Sequence, residues 1–203
     1  MIGELAIACM MFIGNYLFIG YLGEDSVAAF SVACYCFPLV FMVGNAISQS
    51  AQPIISYNYG AGLIERVRQT FRFSITTGLI MGTVMMLGGI YEGHMIISMF
   101  LPDKGSVAFQ IANEGFSYFS MAFLLFTLNL VLIGYLQSIE KYKHAITFML
   151  LRGVVFIIPT FLLLPSMIGV PGLWLAVPVS ELLTLFITLL YKLKLTRKQN
   201  MNI

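Results

Sequence analysis

The stretch 27-VAAFSVACYCFPLVFMVGNAISQSAQPIISY-57 runs from Val27 to Tyr57 without one charged residue. Crossing the hydrocarbon core of a bilayer takes about 20 apolar residues in a helix, and this stretch exceeds that length. It is read as a membrane span over 27–58, closed by Gly60-Ala61-Gly62. Its second half is not uniformly oily. Asn45, Gln49, Gln52 and Ser56 follow i, i+4, i+7, i+11 and so fall along one helical face. Such a face belongs against a water-filled cavity or a partner rather than against acyl chains. Pro38 and Pro53 interrupt the span, and each is expected to kink it. Pro53 also removes the backbone bond to the carbonyl of Gln49. Broken or kinked helices near a midplane commonly build ion and substrate sites, although ordinary hydrogen bonding between helices would use the same groups.

Working outward, the same reading recurs. Spans are expected at about 4–22, 73–100, 114–139, 145–164 and 173–191, which makes six with 27–58. Between them lie polar turns at Gly23-Glu24-Asp25, Pro102-Asp103-Lys104-Gly105, Glu140 to His144 and Gly169-Val170-Pro171-Gly172. The expected fold is all-α: a polytopic six-helix transmembrane bundle over 1–191, followed by a basic tail over 192–203. The whole composition agrees. Hydrophobic residues make up 59% of the 203 and charged residues 10%. Soluble domains average about 25% charged, because their surface must face water. A mean hydropathy of +0.91 points the same way.

Net charge is only +2, which gives no footprint for nucleic acid. Its distribution says more. Arg66, Arg68, Arg72, Lys141 and Lys143 fall in loops after even-numbered spans, and Lys192, Lys194, Arg197 and Lys198 in the tail. Loops after odd-numbered spans hold only Lys104. The positive-inside rule then places both termini in the cytoplasm. The start of the chain has no positive charge and carries Glu4, so it is not read as a signal peptide. A hydrophobic helix beginning so abruptly suggests a fragment, or a further lobe supplied elsewhere. Cys9, Cys34 and Cys36 lie in apolar runs, and His94 and His144 stand apart at span ends, so neither a metal nor a cofactor is expected.

Charges inside a span are expensive, about 2.5–3.5 kcal/mol each on the insertion scale, and are functional candidates for that reason. Three qualify: Glu4, Arg152 and Glu181. Arg152 and Glu181 stand at depths, counted from the cytoplasmic ends of the last two spans, that differ by only ~5 Å. The two are expected to form a buried ion pair, which either fixes helix register or exchanges Arg152 for a proton or cation. Asn15 and Asn129 are further uncharged polar groups within spans, readable as glue between helices or as candidate substrate-cavity residues, and Glu4 is equally readable as an interfacial residue. Paired acids, a Ser/His arrangement and clustered histidines at a common depth are all missing, which argues against an intramembrane enzyme.

Several segments resemble, in order, the multidrug and toxic compound extrusion (MATE) family, and its bacterial branch most. They are Gly23 to Phe30, Gln52-Pro53-Ile54-Ile55-Ser56-Tyr57-Asn58-Tyr59-Gly60-Ala61-Gly62, Arg66-Val67, Phe71-Arg72, Gly134 to Lys141, Leu151-Arg152-Gly153 and Gly172 to Thr184. The resemblance implies one lobe of a two-lobed transporter, the second, comprising helices seven to twelve. It implies export of organic cations or amphipathic drugs from the bacterial inner membrane by alternating access, driven by sodium ions or protons. It further implies a drug cavity between the lobes, lined here by Asn45, Gln49, Gln52 and Ser56, with Glu4 at the cytoplasmic end. The missing partner is an N-terminal six-helix lobe, in the same full-length chain or a separate one. The chain departs from the family in its acids: helix seven carries only Glu4, and helix ten offers Asn129 and no acid between Gly115 and Ile139. Two rival readings are a lobe of a lipid-linked oligosaccharide flippase and a non-transporting scaffold or partner subunit. A flippase cavity usually presents several lysines and arginines, whereas here Arg152 alone lies within a span.

Overall fold

In the computed structural model, which describes the backbone of residues 2–200 and the side chains of residues 7–195, helix follows helix throughout. The elements are α1 (Ile2–Leu22), α2 (Asp25–Gly60), α3 (Ile64–Tyr91), α4 (Gly93–Phe100), α5 (Val107–Ser138), α6 (Tyr142–Leu150), a π-helical turn (Leu151–Val155), α7 (Ile157–Ile168) and α8 (Val170–Asn200). No strand occurs among the described residues. Five segments are long and apolar enough to cross a bilayer: α2, α3, α5, the run Tyr142–Ile168, and α8 as far as Leu195. α1 adds the apolar stretch Ile7–Leu22, within a 21-residue helix that rises ~31 Å. The chain is therefore an all-α polytopic membrane protein.

The helices overrun the expected spans because hydropathy reports the oily part of a helix, not where its hydrogen bonding stops. α3 starts at Ile64 rather than 73, so the charged connector forms its first turns, with Glu65 and Arg68 3.8 Å apart on one face. At its far end it breaks at Glu92, and α4 continues to Phe100 as a separate element. α5 starts at Val107 rather than 114, capped by Ser106, whose hydroxyl accepts the Phe109 N–H at 3.3 Å. Pro165, expected to end the fifth span, lies inside α7, which stops only at Gly169 with φ +69°. α8 likewise runs on to Asn200, so the basic segment after Lys192 prolongs the helix instead of trailing from it. α2 passes both Pro38 and Pro53 as one 36-residue helix, not as an interrupted one.

α5 is the axis of the bundle. It packs chiefly against α2, α3 and α8, and 72% of its apolar window is buried, against 17% for α3 at the periphery. Around it, Phe18, Phe30, Phe37, Phe116, Phe119, Phe126, Phe161 and Trp174 form an aromatic core under 2% exposed. Phe18 stacks on Phe30 at 4.5 Å, and Trp174 meets Phe18 edge-on at 4.9 Å. Trp174 seats on Gly115, where any Cβ would collide with its indole, so a glycine is needed for α5 and α8 to approach this closely. A second, smaller core of Ala51, Ile55, Val67, Ile133, Leu136, Ile139, Ala145 and Phe148 holds the Lys141 end together.

Candidate functional site

Arg152 lies in the π-turn, ten residues beyond the start of α6, and Glu181 lies eleven residues beyond the start of α8. At 1.5 Å per residue those are rises of ~15 and ~16 Å, half the thickness of a ~30 Å hydrocarbon core reached from opposite ends. The structure brings the two together there. Arg152 Nη2 is 3.2 Å from Glu181 Oε1, with the side chains 8% and 5% exposed. Asn129 on α5 joins them: its Nδ2 donates to Glu181 Oε2 at 2.7 Å and to the Glu181 carbonyl at 2.9 Å. Each carboxylate oxygen thus has its own donor. The guanidinium also lies over the Phe126 ring, 4.0 Å from its centroid, which suits a desolvated cation.

Two features of this site had no signal in the sequence. One is the π-turn: the Phe156 N–H donates to the Leu151 carbonyl at 2.8 Å, five residues back, and the extra residue aims Arg152 into the bundle. Such turns recur at functional sites. The other is a cavity of ≈ 20 Å³ beside the pair, bounded by Ile7, Met10, Phe37, Phe126, Gly153, Ile157 and Val177. That is room for about one water molecule.

The polar stripe of α2 is only partly where the sequence put it. Its four residues stand one position round from the buried row Gly44, Ser48, Ala51, Ile55 and Asn58, so the stripe runs along the edge of the bundle. Gln52 and Ser56 turn to the end of α5: Gln52 Nε2 donates to Gln137 Oε1 at 3.3 Å and to Ser48 Oγ at 3.4 Å, and Ser56 Oγ to the Ser138 carbonyl at 3.2 Å. Gly134 completes this seam, because a Cβ there would strike the Ser48 hydroxyl. Ser48 and Gln137 were missed by sequence reasoning. Gly134, three residues before Gln137, was the available hint of a close helix crossing. Asn45 is half-buried and Gln49 exposed. An open groove of ≈ 510 Å³ lies on the other flank of α2, between Ala46, Ile47, Ser50 and Ile54 and the α3 residues Thr70, Phe73, Ser74 and Thr77.

Pro38 and Pro53 are both exposed on α2, and Asn15 is half-buried on α1 with its Oδ1 shielded from solvent and without a hydrogen-bond partner. The Glu4 side chain lies outside the described residues. Cys9, Cys34 and Cys36 are free thiols, and the described residues contain no group of three metal-type ligands.

Against this geometry stand the comparisons with known proteins. The MatE family profile matches residues 1–162. A probable multidrug resistance protein NorM of Bradyrhizobium diazoefficiens is 29% identical over 96 residues, which are 47% of this chain and 21% of that protein. The multidrug export protein MepA of Staphylococcus haemolyticus is 25% identical over 175 residues, 85% of this chain and 37% of that one. An FAD transporter of Shewanella oneidensis is 24% identical over 168 residues, covering 81% and 36%. Among solved structures, an inward-facing MATE family transporter superposes with a TM-score of 0.88 at 13% identity, over 98% of this chain and 46% of that chain. An outward-facing one gives 0.83 at 14% identity, over 96% and 44%. The chain thus spans less than half the length of the relatives it matches.

Proposed function

The chain belongs to the MatE family of multidrug efflux transporters, and from that premise we propose that it serves as one six-helix lobe of a cation-coupled antiporter. In this reading the assembled two-lobed antiporter, not this lobe alone, exports organic cations or amphipathic drugs across the bacterial inner membrane, with both termini of this lobe in the cytoplasm. Its partners are the lipid bilayer, the drug, and a second six-helix lobe in the same full-length chain or in a separate one. The observation that carries the reading is the charge pair: Arg152 and Glu181 are buried at mid-depth, where a structural link alone could be made by apolar packing at less expense.

Alternating access needs a lobe that keeps its own shape while its relation to the other lobe changes. The similar superposition on an inward-facing and an outward-facing transporter supports that role. The edge position of Asn45 and Gln49 suits a wall facing a cavity between lobes. Arg152 is already held by Glu181 and Phe126, which weighs against a flippase lobe that would offer its cations to a pyrophosphate. The coupling ion, sodium or proton, is taken by acids in competition with drug, each biasing the opposite opening. The test is ethidium accumulation in bacterial cells lacking other pumps, with the full transporter containing this lobe expressed. Accumulation is expected to fall, and to rise again in Glu181→Gln. Unchanged accumulation at good expression rejects drug export.

A further inference from the structure

We propose that Glu181 is a proton-exchange site, occupied alternately by the Arg152 guanidinium and by one proton, and that sodium is not its exchangeable cation. What the exchange drives rests on the transporter reading above; its existence does not.

The carboxylate is held entirely by donors, Arg152 at Oε1 and Asn129 at Oε2. Withdrawing the guanidinium would leave a carboxylate buried and unpaired, so another positive charge must replace it. The surroundings decide which. The cavity beside the pair holds about one water molecule, and the walls contributed by Ile7, Met10, Phe37, Phe126, Gly153, Ile157 and Val177 carry no side-chain oxygen. Arg152 and Glu181 are the only charged side chains among the described residues that line it. A sodium ion gives up its water only for a shell of several oxygen ligands, and the described side chains at this point offer only the Glu181 carboxylate and Asn129 Oδ1. A proton needs one acceptor and almost no room.

Asn129 suits both states. Its Nδ2 now donates to the carboxylate, while its Oδ1 is buried and without a hydrogen-bond partner. In the acid form a new O–H bond on Glu181 could donate to that Oδ1 after the amide turns over. The proton then sits on Oε2, the ion pair is broken, and Arg152 carries its charge elsewhere. The π-turn provides the movement. Its surplus residue gives the helix two hydrogen-bonding registers, and passing from one to the other turns Arg152 by ~100° about the helix axis.

The experiment is infrared difference spectroscopy of the full chain in lipid nanodiscs, with ¹³C-labelled glutamate and Glu181→Gln to assign the Glu181 band. Acid is expected to bring up a protonated-carboxyl band in the wild type that Glu181→Gln lacks. Arg152→Gln should show the band already at neutral pH, Arg152→Lys should not, and exchanging choline chloride for sodium chloride should leave every band unchanged. A band that sodium abolishes assigns a sodium site and overturns the proposal. So does an acid titration in which wild type and Glu181→Gln are indistinguishable. Should Arg152→Gln fail to insert, the wild-type titration in choline and in sodium still decides. Ethidium export is scored separately. A proton response without export removes only the transporter reading, and export with a sodium-sensitive carboxylate removes only the proton assignment.

Discussion

Arg152 and Glu181 show how far one-dimensional reasoning can reach for a single contact. Both were identifiable as charges inside spans, and counting the helical rise placed them at a common depth. Asn129, the third member, was recognised as polar but not as their partner. Counted from the span ends at 139 and 191, Asn129 lies at the depth of Glu181 as well, but equal depth does not say which helices are neighbours or which faces meet. The buried pair makes a quantitative prediction. Removing one partner strands the other in an apolar interior, so Arg152→Ala should lower unfolding stability by about 3–5 kcal/mol. Adding Glu181→Ala should recover part of the loss, with a coupling of about 1–3 kcal/mol in a double-mutant cycle followed by detergent unfolding. Strictly additive losses would show that the two charges do not depend on each other.

Among the elements, α2 and α5 meet along the seam of Ser48, Gln52 and Gln137, and the crossing depends on Gly134 having no side chain. Gly134→Ala should therefore push Ser48 aside and cost about 1–3 kcal/mol as overpacking, even though alanine favours a helix. Pairing it with Ser48→Ala should return part of that stability, read by the same unfolding assay; an unaffected Gly134→Ala would mean the helices are not in contact there. Two of the element ends that sequence reading missed, the start of α3 and the end of α8, share one cause. The outer turns of α3 and α8 are rich in arginine, lysine and glutamine, which are good helix formers but poor membrane residues. Hydropathy excludes them while hydrogen bonding includes them.

Taken whole, the lobe has apolar flanks and one mixed edge. Val84 on the periphery of α3 is 59% exposed in an apolar setting, whereas Gln49 is exposed beside Asn45 and Ser56. A cysteine at Gln49 in the full transporter should react with a water-soluble maleimide much faster than one at Val84, because only the former faces water in at least one state. Equal, slow labelling at both would place the α2 stripe in lipid and remove the cavity wall from the functional reading.

The bilayer explains what could be read from the sequence alone. It demands a run of about 20 apolar residues per crossing and taxes every charge inside, so class, spans and the residues worth suspecting follow from composition in one dimension. It also forbids a polar face toward acyl chains, which singled out Asn45, Gln49, Gln52 and Ser56. Only the tertiary structure decided which of those groups are paired and which stand open. It also revealed the π-turn at Arg152 and the meeting of Asn129 with Glu181. Those outcomes depend on how separate helices cross, on where a glycine lets two backbones close up, and on donors that lie dozens of residues from their acceptors. No local period of the sequence encodes such distances.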